Sequence, residues 1–165
     1  MPADRPPKSP RTPRPLKARA VALLARREYS RADLRDKLAA GERNADALAE
    51  IDAVLDELAA LGYLSDTRFA KALVQQKSGG YSKRAIGASL KARGVSSEAV
   101  TDALAASEID DQDAMVALWR RRFGEPPAND REKARQVRFL QSRGFSLAAI
   151  FKLLRDPPGE DVAGR

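Results

Sequence analysis

The feature that most constrains the fold of this chain is an internal repeat. The segments LKARGV, beginning at Leu90, and LQSRGF, beginning at Leu140, share a leucine, an Arg-Gly pair and a following apolar residue at a spacing of 50. The Tyr-Ser pairs at residues 29–30 and 81–82 align at a spacing of 52. A period near 50 residues is typical of stacked helical units in which neighbours complete each other's cores. Short helix-turn-helix segments resemble one another in any case, but the shared Leu-x-x-Arg-Gly favours true repetition.

Apolar residues recur at helical spacing through these repeats, and no segment alternates apolar and polar residues for long, as a strand would. The clearest stripe is formed by Leu48, Ile51, Leu55 and Leu58. Gly62 predicts the end of that helix, because glycine enters the left-handed C-terminal conformation without strain. We predict an all-α fold of nine helices, arranged as three tandem three-helix-bundle repeats in an elongated, curved array.

Local signals divide the chain into three repeats with a flanking segment at each end. Six of the ten prolines fall within residues 1–15, among Arg and Lys, so we expect this segment to be a disordered basic arm. Contact with nucleic acid and a passive tail are its two alternative roles. The three-helix repeats are placed at residues 16–62, 63–109 and 110–156. A disordered tail is expected at residues 157–165, where Pro157 and Pro158 end the fold.

The starts of several helices carry specific expectations. Ser30, Ser65 and Ser82 each precede an apolar helical stretch and are predicted to cap it with a side-chain oxygen. The first helix is predicted to run from Leu16 to Glu28, with Val21 facing inward.

Composition excludes more functions than it supports. The chain has neither Cys nor His, which removes thiolate chemistry and the usual zinc, haem and general-base ligand. No apolar run approaches the length of about 18 residues that a membrane helix needs, and the N-terminus lacks the apolar core of a secretory signal. We therefore expect a cytoplasmic protein that is not an enzyme and uses no cofactor. The carboxylates of Asp110, Asp111 and Asp113 lie at a helix start and are interpreted as structural rather than metal-binding.

Charge is unevenly distributed along the chain, whose net charge is +7. Residues 20–62 hold six cations and nine anions, whereas residues 63–109 hold seven and four, and residues 110–156 hold ten and seven. The basic second and third repeats suggest a polyanionic or acidic partner. The alternative is a solvated helix surface whose cations only keep the protein soluble.

Basic side chains form stripes that are the candidate contact sites for such a partner. Three of them lie at i, i+4 and i+7 on the eighth helix and share a face: Arg131, Arg135 and Arg138. Arg84 and Lys91 lie seven residues apart on the fifth helix with Gly87 between them, which predicts a shallow, cation-lined strip. The other candidates lie off the apolar face of the fourth helix or precede equivalent stop glycines: Arg68, Lys71, Arg93 and Arg143. Few aromatic residues accompany the stripes, so base stacking is weakly supported.

Three ordered motifs resemble a known family. The pattern GYL-x-D-x-RFA-x-x-x-V, beginning at Gly62, is similar to the central signature of the RecX family, bacterial regulators of the RecA recombinase. RFLQSRGFSLAAI, beginning at Arg138, is similar to the C-terminal motif of that family, and LLARREYSRADLRDKL, beginning at Leu23, to an upstream segment. The resemblance covers roughly residues 16–154. KSGGYSKRAIG, at residues 77–87, is only a loose version of the family's glycine-rich basic segment.

The resemblance implies a tandem of three-helix modules and a non-enzymatic regulator. Such proteins bind the RecA–DNA filament along its helical groove, block its extension, and lower ATP hydrolysis, strand exchange and co-protease activity. Motif positions Tyr63, Asp66, Arg68 and Phe69 carry over to this chain as contact or structural residues. The expected partner is the RecA nucleoprotein filament, with weak binding to single-stranded or duplex DNA, and we expect a monomer.

The residues alone leave another class open, a helical DNA-binding module that acts without RecA and places a helix of each repeat in a groove. Against it, no helix concentrates Arg together with Asn or Gln as base-reading helices do.

Overall fold

The computed structural model describes residues 14–159, and within them the chain forms nine α-helices and no strand. Their bounds are α1 Leu16–Leu24, α2 Arg31–Leu38, α3 Ala45–Ala60, α4 Asp66–Lys77, α5 Lys83–Ala92, α6 Ser97–Ala105, α7 Asp111–Arg122, α8 Asp130–Ser142 and α9 Leu147–Arg155. The predicted all-α helical repeat is therefore confirmed. Nearly all of the predicted basic arm, and the tail beyond Gly159, lie outside the described residues. None of the helices within residues 14–159 is both long and apolar enough to cross a membrane.

Three hydrophobic cores group the helices in consecutive threes. We call α1–α3 module 1, α4–α6 module 2 and α7–α9 module 3. Each core is formed by apolar residues from the helices of its own module and the loops beside them, including Leu64 in the first. Fully buried members are Leu34, Leu55 and Leu58 in module 1, Ile86 and Leu90 in module 2, and Met115, Leu140 and Ile150 in module 3. The leucines of the repeated Leu-x-x-Arg-Gly segments are thus core residues.

Side-chain caps begin every helix except α1. The capping oxygen accepts a hydrogen bond from a backbone N–H of the first turn, which would otherwise have no partner. The caps are Ser30, Asn44, Ser65, Ser82, Ser96, Asp110, Asn129 and Ser146. The three predicted serine caps are confirmed, and Asp110 has the structural role that its position indicates.

Helix α1 is shorter than predicted. It ends at Leu24 rather than Glu28, and the following residues turn so that the Arg27 guanidinium lies 4.4 Å from the centroid of the Tyr29 ring. The prediction that Val21 faces inward is wrong, because its side chain is 37% exposed while Ala20 is fully buried. An alanine-rich helix has no strong apolar stripe, so its spacing does not decide which face is inside.

Gly87 does not lie on an exposed strip with Arg84 and Lys91, and that prediction is wrong. It is buried against α6, where a Cβ at this position would lie 3.3 Å from Leu104 Cδ1 and 3.5 Å from Val100 Cγ1. The absence of a side chain therefore brings α5 close to α6. Arg84 and Lys91 themselves are exposed.

Candidate functional site: the module joints and the basic surface

The modules meet through the Arg-Gly pairs of the internal repeat. Arg93-Gly94, which follows α5, lies against the start of α2, and Arg143-Gly144, which follows α8, lies against the start of α5. We call the first contact joint 1 and the second joint 2. The residues that mark the repeat in the sequence are therefore the residues that connect one module to the next.

Joint 2 is held by hydrogen bonds that converge on Ser82. Its backbone N–H donates to the carbonyl of Arg143 at 3.0 Å, and its hydroxyl donates to the carbonyl of Gly144 at 2.9 Å. The same hydroxyl accepts from the backbone N–H of Ala85 at 3.1 Å. A Cβ at residue 144 would lie 2.4 Å from Ser82 Oγ and 2.5 Å from Ala85 Cβ, and φ there is 91°. Both space and backbone conformation therefore require glycine.

Two carboxylates connect modules by hydrogen bonds. Each lies at the start of a module's first helix and accepts from a backbone N–H at the start of the preceding module's second helix. Asp66, the first residue of α4, accepts a hydrogen bond from the backbone N–H of Arg31 at 2.8 Å. Asp111, the first residue of α7, accepts one from the backbone N–H of Lys83 at 2.8 Å. Asp66, carried over from the family motif, thus has a structural contact. The equivalence of Asp66 and Asp111 could be found in the sequence, since each opens the first helix of a module.

The other motif residues divide between core and surface. Phe69 is buried in the core of module 2, with 6% of its surface exposed, whereas Tyr63 is 57% exposed. Arg68 lies at the surface, where its Nε donates to Glu28 Oε1 at 3.0 Å and its Nη2 to the Tyr63 carbonyl at 3.2 Å. The charge of Arg68 is therefore already paired with a carboxylate of module 1.

Module 1 supplies the acidic partners of the ion pairs. All five salt bridges found within residues 14–159 use an acidic residue of module 1, namely Glu28, Asp33, Asp52, Asp56 or Glu57. Of the predicted contact residues, only Arg68 and Arg93 take part in them. The others have no carboxylate partner in the described part of the chain: Lys71, Arg84, Lys91, Arg131, Arg135, Arg138 and Arg143. Modules 2 and 3 thus present cations that the fold does not neutralise.

Within module 1, one ion pair shifts the pKa of both members. Arg35 Nε and Nη2 donate to the two carboxylate oxygens of Asp52 at 2.7 and 3.1 Å. This hydrogen bond is the main reason that the pKa of Asp52 lies below its usual value, and the charges of Arg35 and Arg31 add to it. The pKa of Arg35 is raised, chiefly by its hydrogen bond to Asp52.

Arg93 and Arg143 occupy equivalent positions but have different partners. Arg93 Nη1 lies 2.9 Å from Asp33 Oδ2. When the Tyr-Ser pairs are aligned, the position equivalent to Asp33 is Ala85, and Arg143 meets no carboxylate among residues 14–159. Its guanidinium carbon instead lies 4.7 Å from the centroid of the Tyr81 ring and 5.1 Å from that of Phe139.

Arg143 belongs to a row of cations and aromatic rings that crosses joint 2. Lys77 lies over Tyr81 on one side, while Arg122 lies over both Phe123 and Phe139, and Arg135 over Phe123, on the other. Phe123 and Phe139 meet edge to face, with centroids 5.4 Å apart. We call these residues the stacked row: Lys77, Tyr81, Arg122, Phe123, Arg135, Phe139 and Arg143. A cation over a ring is attracted by the ring quadrupole and keeps its charge.

The stacked row only partly coincides with the residues predicted from sequence. Arg135 and Arg143 are in both sets, but Lys77, Arg122 and the three rings are not. The signal available in the sequence was the four-residue spacing of Lys77 and Tyr81 and of Phe139 and Arg143.

Five of the basic candidates line three surface depressions. Arg131, Arg135 and Arg138 line an open depression of about 450 Å³ together with Asn129 and Glu132, so they do share a face. Lys71 lines a groove of about 660 Å³ between α4 and the end of module 2. A cleft of about 450 Å³ at joint 1 is lined by Arg27, Lys77 and Arg93 among others. Lys91 is exposed beyond these depressions.

Comparison with known proteins decides the family. Two family models match this chain, the second three-helix domain of RecX over residues 65–104 and the third three-helix domain over residues 108–154. The chain belongs to the RecX family. Both Arg-Gly pairs and the whole stacked row fall within the segments that match the RecX models.

Relatives named Regulatory protein RecX extend the match over most of the chain. The relative from Leptothrix cholodnii is 45% identical over 140 residues, which cover 85% of this chain and 87% of the relative. The relative from Ralstonia nicotianae is 40% identical over 146 residues, covering 88% and 90%. A relative from Thermus thermophilus is 41% identical over 140 residues, covering 84% and 89%. The RecX family is thus named for regulation rather than for a reaction.

Solved structures agree on the fold. The crystal structure of RecX from Lactobacillus salivarius matches with a TM-score of 0.60 at 19% identity, covering 85% of this chain and 92% of that one. A second crystal structure of regulatory protein RecX matches with a TM-score of 0.60 at 18% identity, covering 86% and 72%. At these identities the likeness shows the RecX fold alone.

Proposed function

We propose that this RecX-family chain is a non-enzymatic regulator that binds the RecA–DNA filament. Binding inhibits filament extension and, with it, RecA ATP hydrolysis, strand exchange and co-protease activity. The observation that carries the proposal is the basic surface of modules 2 and 3, where Arg68 and Arg93 alone among the described cations have a carboxylate partner within residues 14–159. The protein would act in the cytoplasm, in homologous recombination, DNA repair and the SOS response.

The basic surface of modules 2 and 3 suits a partner whose negative charges are regularly spaced. DNA carries a phosphate at each nucleotide, and a protein gains affinity by replacing condensed counterions with Lys and Arg. Modules joined end to end offer their cations in succession, from Lys71 and Arg84 in module 2 to Arg131 and Arg138 in module 3. Guanidinium groups bind phosphate or carboxylate with two parallel hydrogen bonds, which favours arginine in such a role.

The acidic residues support regulation rather than catalysis. Asp33 and Asp52 form ion pairs with arginine, while Asp66 and Asp111 accept backbone hydrogen bonds between modules. These carboxylates are engaged in holding the fold. With no His or Cys in the chain, the imidazole base and the thiolate nucleophile used by many enzymes are absent.

A RecA ATPase assay tests the proposal. Substoichiometric amounts of this protein are expected to slow DNA-dependent ATP hydrolysis by RecA, because blocking a filament end affects many subsequent subunits. Unchanged hydrolysis at stoichiometric amounts, together with tight binding to a defined duplex, would instead favour a DNA-binding module that acts without RecA.

A further inference from the structure

Each joint places an Arg-Gly pair against the second helix of the preceding module, but the two arginines differ in their charged partners. At joint 1 the arginine before the stop glycine is paired with Asp33, whereas at joint 2 the equivalent position is Ala85. We propose that joint 2 is a binding site for the phosphodiester backbone of DNA, with Arg143 as its central cation and Lys77, Arg122 and Arg135 around it. The inference rests on the proposed function for the choice of DNA as the polyanion.

The rings of the stacked row orient these cations without neutralising them. Arg143 lies between Tyr81 of module 2 and Phe139 of module 3, and Arg122 lies over both phenylalanines. A guanidinium held by its face over a ring keeps its N–H edge for a phosphate and loses less conformational entropy on binding. Each contact between one of these cations and a phosphate releases counterions from DNA. A fixed row of cations therefore favours a ligand with regularly spaced phosphates.

Stacking of bases does not explain the same geometry. Tyr81, Phe123 and Phe139 are half-buried, and cations already lie over each of them. Single-strand binding proteins that stack bases need free ring faces. The ligand at joint 2 is therefore recognised through its phosphates, and its base sequence should have little effect.

An acidic protein surface fits joint 2 less well than DNA does. The centre of a protein interface is usually apolar and aromatic, with charges at its rim. The large apolar side chains exposed in the described part of the chain all lie outside the stacked row: Val21, Leu61, Tyr63, Leu147 and Phe151. Joint 2 thus offers charge without an apolar centre.

Comparison of the two joints suggests the variant Ala85→Asp, which introduces at joint 2 a carboxylate at the position equivalent to Asp33 of joint 1. The measurement is the fluorescence anisotropy of a labelled oligothymidylate titrated with the full chain, without RecA. Ala85→Asp is expected to weaken binding roughly five- to tenfold at about 0.1 M salt, the effect of losing one phosphate contact. Ala88→Asp, an equal charge change at an exposed position of α5, should weaken it much less. Equal losses in the two variants would overturn the proposal.

The reciprocal variant is Asp33→Ala, which frees Arg93 at joint 1. It should bind oligothymidylate more tightly than Asp36→Ala, which removes an exposed carboxylate of α2 that forms no ion pair among the described residues. If both variants bind equally, the missing carboxylate is not what makes joint 2 a site, and the proposal is wrong.

Further measurements control for misfolding and identify the ligand. If circular dichroism shows that Ala85→Asp unfolds, Arg143→Gln is compared with Arg155→Gln instead, and equal binding by these two would refute the site. An abasic oligomer of the same length should bind as tightly as oligothymidylate, whereas weaker binding would mean that bases are read. Polyglutamate that competes as well as DNA would indicate an acidic protein partner and overturn the proposal.

The two proposals fail separately. An unchanged RecA ATPase would refute the regulatory function while leaving oligonucleotide binding at joint 2 intact. Equal oligonucleotide binding by Ala85→Asp and Ala88→Asp would refute the site while leaving RecA inhibition unaffected.

Discussion

The hydroxyl of Ser82 donates a hydrogen bond to the carbonyl oxygen of Gly144 at 2.9 Å, across 62 residues of chain. The same oxygen caps α5 by accepting from the backbone N–H of Ala85. One side chain, only 1% exposed, therefore starts a helix of module 2 and attaches the end of α8 to it. The equivalent Ser30 caps α2 by accepting from the backbone N–H of Asp33, so capping is the role that both Tyr-Ser pairs share.

Gly144→Ala should destabilise the protein more than Gly41→Ala. Both glycines have positive φ, 91° and 81°, so both substitutions strain the backbone by about 1–2 kcal/mol. Only at residue 144 does the new Cβ collide with Ser82 and Ala85, while residue 41 has no atom within 4 Å. Overpacking adds a further ~1–3 kcal/mol at joint 2. Urea unfolding of both variants checks this, and equal losses would mean that joint 2 is not closely packed.

Local features of the fold were predictable from the sequence because their causes are local. A serine before an apolar stripe caps a helix, and a glycine after it ends one, as at Ser65 and Gly62. The position of Gly87 was not predictable in the same way. Its spacing from Arg84 and Lys91 suggested an exposed strip, but α6 packs against that part of α5.

The difference between the two joints depends on contacts that are distant in the sequence. Alignment of the Tyr-Ser pairs makes Ala85 the counterpart of Asp33, but only the structure shows that Arg93 reaches Asp33, 60 residues away, and that Ala85 lies against Gly144. The family resemblance identified Asp66 and Phe69 but did not separate contact from support. In the structure one accepts a backbone hydrogen bond and the other is core.

Phe69→Ala should cost ~3–5 kcal/mol of unfolding free energy, because the ring is buried in the core of module 2. Phe151→Ala is the matched control, since that ring is 46% exposed, and its loss should stay below about 1 kcal/mol. Chemical denaturation measures both. A loss below about 1 kcal/mol for Phe69→Ala would restore a partner-contact role for this motif residue.

Gln136→Leu should destabilise module 3 despite the added apolar surface. The Gln136 Oε1 accepts a hydrogen bond from the buried Trp119 indole at 2.8 Å, and its Nε2 donates to the Glu125 carbonyl at 3.1 Å. The substitution leaves the indole N–H buried without an acceptor, at a cost of about 1–3 kcal/mol. Thermal unfolding followed by tryptophan fluorescence checks this, and an unchanged midpoint would show that the hydrogen bond contributes nothing net.

Acid should remove the stabilising effect of the Arg35–Asp52 pair. The pKa of Asp52 is lowered in the folded protein, chiefly by the hydrogen bond from Arg35, so the folded state favours the ionised carboxylate. Its contribution is complete above the unfolded pKa of about 3.9 and is lost as pH falls through the lower, folded pKa. Wild type should therefore exceed Asp52→Asn in stability at neutral pH, and the difference should shrink below about pH 4. Glu50→Gln, at an exposed position without an ion pair among residues 14–159, is the matched control, and equal pH dependence of the two variants would mean that the Arg35–Asp52 pair is not the cause.

Replacing Arg131, Arg135 and Arg138 by Ala should weaken inhibition of the RecA ATPase while leaving helix content unchanged. The three side chains are exposed on one face of α8 and have no carboxylate partner in the described residues. Apart from the contact of Arg135 with the Phe123 ring, their removal therefore costs contacts with a polyanion rather than packing. As the salt concentration rises, inhibition by the wild type should fall more steeply than inhibition by the variant, because the variant lacks three cations and releases fewer counterions on binding.

The matched control removes equal charge from module 1. It replaces Arg19, Arg26 and Lys37, which are exposed around α1, by Ala and should retain inhibition. If the two triple variants lose inhibition equally, net charge rather than the face of α8 governs binding to the filament.

Deletion of residues 1–15 should reduce inhibition of the RecA ATPase less than the α8 substitutions do, since the arm lies outside the segments that match the family.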